Sequence, residues 1–224
     1  MQKKLIHSAI FGCLLLSPML SQAALSLSNT RVVIQEASSS SVEVINGSSE
    51  RYGMQAWVED QSGKDPGKML VVSPGLLSID GKKKAVLRLL SFSKASNKEQ
   101  LYFLNVQEIP PKPKDNGHSQ FLLAVRTKIK VLVRPAPLFD GRRGAEQKIE
   151  VSKTAKGLRF TNPTPYYFAI TTMTSGGKDL TKTKLGTFAP MSSVDVPLDK
   201  AASKVTLRYL EDTGAARTVT LSVK

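Results

Sequence analysis

The chain has 224 residues, 41% of them apolar and 22% charged, which suits a globular protein with a real core and excludes an extended disordered chain. Its net charge of +14 favours acidic partners, but the basic residues are scattered along the length rather than gathered into one arm, so they read as solvated surface and nucleic acid is not an expected partner. The only cysteine is Cys13, which excludes a disulfide framework and a thiolate metal centre.

The first element is a secretory signal. Lys3 and Lys4 form a basic start, Leu5 to Leu16 is a short apolar stretch, Pro18 ends it, and Ser21-Gln22-Ala23 supplies small residues at a cleavage position. The predicted signal peptide is 1–23 and the mature chain starts at Ala24. Cys13 lies inside the signal; lipoprotein-type processing before it fits less well, because the apolar stretch continues past it. That stretch is too short to span a membrane, and no later one is longer, so no membrane insertion is expected. Without Lys3 and Lys4 the charge is +12.

From there the pattern is short β-rich runs between turn residues. Arg31 to Ile34, Ser41 to Ile45, Met54 to Val58, Met69 to Val72, Ala85 to Leu90, Leu101 to Glu108 and Phe121 to Arg134 are predicted strands. Asn46-Gly47, Gln61-Ser62-Gly63, Ser73-Pro74-Gly75, Pro110-Pro111 and Pro135-Ala136-Pro137 interrupt them. About seven strands in roughly 115 residues is the signature of an immunoglobulin-like sandwich. A second set follows: Ile149 to Val151, Leu158 to Thr161, Tyr166 to Met173, Thr187-Phe188, Ser193 to Val196, Lys204 to Tyr209 and Arg217 to Val223. The polar, glycine-containing stretch from Leu138 to Gly144 reads as a hinge. The predicted fold class is therefore all-β, with one sandwich over 24–142 and a second over 143–224.

Catalytic chemistry is scarce. The mature chain has one histidine, His118, in a loop, so a serine–histidine–aspartate set cannot be assembled. There is no glycine-rich phosphate loop and no HExxH pair, and no cofactor or metal is expected. Glu108, Glu211 and Asp212 sit among basic residues and read as salt-bridge partners. Asn46-Gly47-Ser48 matches a glycosylation triplet, a pattern common by chance. An enzyme is the weaker class.

The longest run, Phe121 to Arg134, spans about 45 Å if fully extended. Phe121, Leu123 and Val125 share one face and Leu122 and Ala124 the other, so both faces are apolar until Arg126. Two readings follow: a central strand buried on both sides, or a strand whose outer part is an exposed edge. An apolar edge with free backbone groups is ordinarily a hazard. A protein that captures partners by strand addition puts such an edge to use.

Several motifs in order make the second reading specific. They are Asn29-Thr30-Arg31-Val32-Val33, Ala56-Trp57-Val58, the run from Asn97 to Pro111, Thr127-Lys128-Ile129-Lys130 through Arg134-Pro135-Ala136, and Asn162-Pro163-Thr164-Pro165-Tyr166-Tyr167. With them the chain resembles, from about Ala24 to its end, the periplasmic pilus-assembly chaperones of the PapD type. The resemblance implies a periplasmic location and two sandwiches set at an angle. It implies that Arg31 and Lys130 anchor the C-terminal carboxylate of a pilus subunit, and that Phe121, Leu123 and Val125 fill the groove of that subunit as a donor strand. Glu108, Arg134 and Asp212 would form an interdomain salt-bridge network. The partners implied are pilus subunits and an outer-membrane usher. Self-association of the free form, which would cover the edge, is a further expectation. Phe121 stands where the family often has isoleucine or leucine, and the short Pro110 to Gln120 loop resembles the subfamily serving rod-like pili. The alternatives are a structural or adhesive fibre subunit, a β-sandwich hydrolase, and a basic nucleic-acid or lipid binder.

Overall fold

The computed structural model describes residues 23–93, 96–113, 122–180, 184–198 and 202–224. The signal segment before residue 23, His118 and Phe121 lie outside the described residues.

Alternation along the strands builds the first sandwich. One sheet has the order β1-β3-β7-β5, from β1 (Leu25–Leu27), β3 (Ser39–Asn46), β5 (Leu70–Ser73) and β7 (Lys84–Ser91). The facing sheet has the order β2-β9-β8-β4-β6, from β2 (Arg31–Gln35), β4 (Tyr52–Glu59), β6 (Leu76–Ile79), β8 (Gln100–Ile109) and β9 (Arg126–Arg134). Successive side chains of a strand point to opposite faces. Val42 and Val44, Met54 and Val58, Leu87 and Leu89, and Leu104 and Val106 therefore all turn inward and form one core. Each such side chain contributes roughly 1.5–3 kcal/mol by leaving water.

The second sandwich has a separate core around Phe160, Phe168, Leu185 and Phe188. Its sheets are β10-β11-β14, from β10 (Glu150–Thr154), β11 (Gly157–Asn162) and β14 (Ser192–Pro197), and β13-β12-β15-β16, from β12 (Ala169–Ser175), β13 (Lys178–Asp179), β15 (Lys204–Leu210) and β16 (Ala216–Ser222). The all-β, two-sandwich expectation holds.

Three local expectations do not. β1 and β6 went unread: β1 has three residues, and β6 resumes just after Pro74-Gly75, where the chain leaves one sheet for the other. Lys184–Thr187 is a 3-10 turn, and Phe188 makes only an isolated bridge with Phe168. The run expected as one strand from Phe121 to Arg134 is paired only from Arg126, and Leu122 to Val125 is irregular.

The sandwiches meet along a shared surface. The side chains of Leu101, Leu132 and Arg134 point away from the first core, yet all three are buried, because the second sandwich covers that end of the sheet. Tyr166, on the way into β12, donates its hydroxyl to the Leu138 carbonyl at 2.7 Å. Gly141 lets this approach happen, since a Cβ there would lie 2.6 Å from the Tyr166 hydroxyl.

Candidate functional site

The site grows from the way β2 and β9 pair. They run parallel, with Arg31 opposite Lys130 and Gln35 opposite Arg134. On its other side β9 pairs antiparallel with β8 as far as Gln107 opposite Arg126. β2 therefore covers the outer edge of β9 only from Lys130 onward. The Glu108 amide donates to the Val125 carbonyl at 2.9 Å, so Val125 and, by alternation, Thr127 and Ile129 turn their backbone groups toward β8. Ala124, Arg126 and Lys128 turn theirs outward, along an edge with no strand on it among the described residues.

The side chains next to that edge are unusual. Leu122 and Leu123 are each 54% exposed, while Ile129 and Val131, further along the same chain, are buried. Leu123 and Val125 have the same parity as Ile129 and Val131, so they prolong the core-facing row beyond the end of the core. The apolar start of the predicted strand is largely exposed, and the chain becomes mostly buried only from Ile129 onward. Glu108 holds the start of this segment. One of its carboxylate oxygens accepts from the Leu25 amide at 2.7 Å and the other from the Val125 amide at 3.3 Å. The Gln107 side chain donates to the Val125 carbonyl at 3.2 Å.

Arg31 and Lys130 stand side by side where the open edge ends, on the face turned to the second sandwich. Each is oriented by a carbonyl of that sandwich. Lys130 Nζ donates to Gly186 O at 2.8 Å and Arg31 Nη1 to Leu210 O at 3.3 Å. Burial and the Arg31 charge push Lys130 below its ordinary value of 10.5. Burial likewise lowers the pKa of Arg31, with Asp212 acting against the shift. Two like charges in a desolvated corner repel each other, and an anion placed between them would relieve that cost.

The interdomain network includes Arg134 and Asp212 as expected, but its third member differs. Arg134 Nε lies 2.5 Å from Glu99 Oε1, and Arg134 Nη1 lies 2.8 Å from Asp212 Oδ2. The other oxygen of Glu99 accepts from the Tyr167 amide at 2.7 Å, so Glu99 ties both sandwiches together. Glu108 is not part of this network, and the register gives the reason. With Gln100 opposite Val133, the β8–β9 hairpin sets Glu99 across from Arg134. Glu108 lies nine residues further on, about 30 Å along the strand, and on the core face. Parity within β8 was the available signal, since Arg134 shares its face with odd-numbered partners only. Burial raises Glu99 above its ordinary 4.5, and Arg134 and the Tyr167 amide pull it part of the way back. Burial opposes the charge of Arg134 too, but Asp212 and Glu99 outweigh it and raise its value. A further buried pair, Arg142 with Glu146, adjoins the same carboxylate of Asp212.

Comparison with known proteins matches this architecture. Residues 24–139 match the model described as pili and flagellar-assembly chaperone, PapD N-terminal domain, and residues 144–221 match pili assembly chaperone PapD, C-terminal domain. The chain belongs to this family of pilus-assembly chaperones. Chaperone protein FanE of Escherichia coli is 32% identical over 207 residues, covering 89% of this chain and 90% of that protein. The Escherichia coli chaperone DraB is 30% identical in its crystal structure, with a TM-score of 0.73 over 90% of this chain and 97% of that one. The Salmonella enterica chaperone SafB, solved in complex with the SafA pilin, shares the fold at 19% identity, with a TM-score of 0.77 over 90% of this chain and 97% of that one.

Proposed function

We propose that this chaperone captures a pilus or fimbrial subunit in the periplasm by completing the subunit's sheet with its own segment before and into β9, and then passes it to an outer-membrane usher. The observation that carries the reading is the coincidence of an unpaired, apolar strand edge with a cation pair at the point where that edge ends. The subunit's terminal carboxylate docks on Arg31 and Lys130. Its last strand then lies along Ala124, Arg126 and Lys128.

The direction of that strand follows from geometry. Its C-terminal end is held at Lys130 and its body extends toward residue 122. It therefore runs parallel to β9 and continues the line of β2 along the same edge. Leu123 and Val125, and Phe121 before them, enter the groove left by the subunit's missing strand. Each contributes roughly 1.5–3 kcal/mol when buried there. Charge complementarity fits as well. Arg134 and Arg142 are paired with Glu99, Asp212 and Glu146, whereas neither Arg31 nor Lys130 has an ion-pair partner among the described residues.

No bond is made or broken in these steps, so we assign no catalytic residue. Residues 1–23 serve for export and are removed, and the domain boundary falls at Arg142. The fibre-subunit alternative has less support, since both halves match chaperone domains.

Co-expression with fimbrial subunits tests the reading. Lys130→Ala and Arg31→Ala should each abolish co-purification of a subunit that the wild type retains, with unchanged circular dichroism and melting. Normal recovery of subunit by the folded double variant would refute the anchor.

A further inference from the structure

Beyond Arg134, Asp212 and Glu99, a second buried ion pair lies at the hinge. Arg142 is 6% exposed and Glu146 is fully buried. They meet through two parallel hydrogen bonds, Nη1 to Oε2 at 3.0 Å and Nη2 to Oε1 at 2.7 Å. The guanidinium is further confined by the rings of Phe168 and Tyr166, whose centroids lie 5.2 and 5.7 Å away. Its Nε faces Asp212 Oδ1 at 3.7 Å, and neither atom has a hydrogen-bond partner among the described residues.

Asp212 follows β15 by two residues, and Leu210, at the end of β15, supplies the carbonyl that orients Arg31. The hinge is not filled by packing. A cavity of about 430 Å³ lies there, lined by Arg134, Phe139, Arg142 and Asp212 among others. The placement of the end of β15 against the first sandwich therefore depends on directed ion pairs. Arg134 reaches Asp212 from β9 and Arg142 reaches it from the hinge. Asp212, Arg142 and Glu146 all act electrostatically on Arg31.

We infer that Arg142, clamped by Glu146, is a positioning residue for the carboxylate anchor: it fixes the end of β15 through Asp212 and so sets the carbonyl that aims Arg31. This rests on the anchor reading proposed above. It adds that the anchor is composite, with cations from the first sandwich and orienting groups from the hinge and the second. Arg142 touches no client atom. Its effect is on how well the cleft distinguishes a carboxylate from a neutral end.

The test uses the double variant Arg142→Met/Glu146→Leu. Exchanging a buried ion pair for apolar side chains of similar size is often neutral for stability, so the variant is expected to fold and to melt near the wild-type temperature. The probe is an acetylated peptide of alternating valine and threonine, long enough to lie along Leu122 to Lys130. It is made once with a free C-terminal carboxylate and once as the amide. The wild type should bind the acid form roughly ten- to a hundredfold more tightly than the amide, the range expected for a charge-assisted hydrogen bond. In the double variant that ratio should fall to within about threefold, mostly through weaker binding of the acid form. Glu146→Gln, nearly isosteric, should shift the ratio the same way by less. A wild-type ratio retained by a folded double variant would overturn the positioning role and leave the anchor standing. A wild type that binds acid and amide equally would overturn the anchor, and the inference with it.

Discussion

At the scale of single residues, the proposed capture turns on two cations, Arg31 and Lys130, and on what surrounds them. Lys130 must be charged to hold a carboxylate, and burial together with Arg31 lowers its pKa in the free protein. The sign follows directly. Capture should be full at neutral pH and weaken as pH rises through that lowered value, below the ordinary 10.5 of lysine. Lys130→Arg keeps its charge over the whole range, so its capture should stay flat where the wild type declines. Pull-down of a subunit between neutral pH and pH 10.5 checks this, and a parallel decline in both proteins would contradict it. The two cations proposed as the anchor stood out in the sequence because each sits in a recognisable motif. Glu99 was not, although it lies inside the same quoted run as Glu108. Choosing between Glu99, just before β8, and Glu108, within it, requires the hairpin register, and register depends on where β8 and β9 begin to pair.

At the scale of elements, the decisive segment is the one that is not yet a strand. The sequence pattern from Phe121 to Arg134 measures a capacity for pairing along its whole length. Only the part from Arg126 has found ladder partners: the Val125 amide turns to the Glu108 carboxylate instead of the Glu108 backbone, and β2 covers the other edge only from Lys130. Pattern alone cannot separate a strand that is paired from one that awaits a partner. Exposure separates them here, with Leu122 and Leu123 open and Val131 to Arg134 buried on both faces. Ala124→Pro should remove one outward amide without breaking any hydrogen bond made among the described residues. Subunit capture should drop while the melting temperature stays constant. Leu123→Glu should likewise weaken capture by setting a charge in the subunit's groove, and should leave the preference for a free carboxylate intact. Full capture by either variant would mean that the strand is used in another register. β1 escaped the sequence reading because three residues are too few to show a period, and β6 because it follows directly on Pro74-Gly75, which reads as the end of a strand.

At the scale of the whole molecule, two independently cored sandwiches must hold one relation to each other for the cleft to exist. The two cores and most of their strands were legible because alternation and turn residues recur over the full length. The interface was legible only in part, because Leu101 and Leu132 read as ordinary strand residues until the second sandwich is placed over them. Arg134 is the centre of the arrangement. Arg134→Ala leaves the buried Glu99 without its cation and should cost about 3–5 kcal/mol by urea unfolding. Glu99→Gln should cost less, roughly 1–3 kcal/mol, because burial already disfavours its charge. Equal losses would show that the pair acts only as a unit. The central claim is that capture pairs the outer edge of β9 with a strand from the subunit. Amide hydrogen exchange at Ala124, Arg126 and Lys128, compared between the free chaperone and its complex with a co-purified subunit, tests it most directly. The account predicts fast exchange at all three in the free protein and strong protection in the complex, with Val131 and Val133 protected in both. Unchanged fast exchange at those three amides in a complex that still holds the subunit would contradict it.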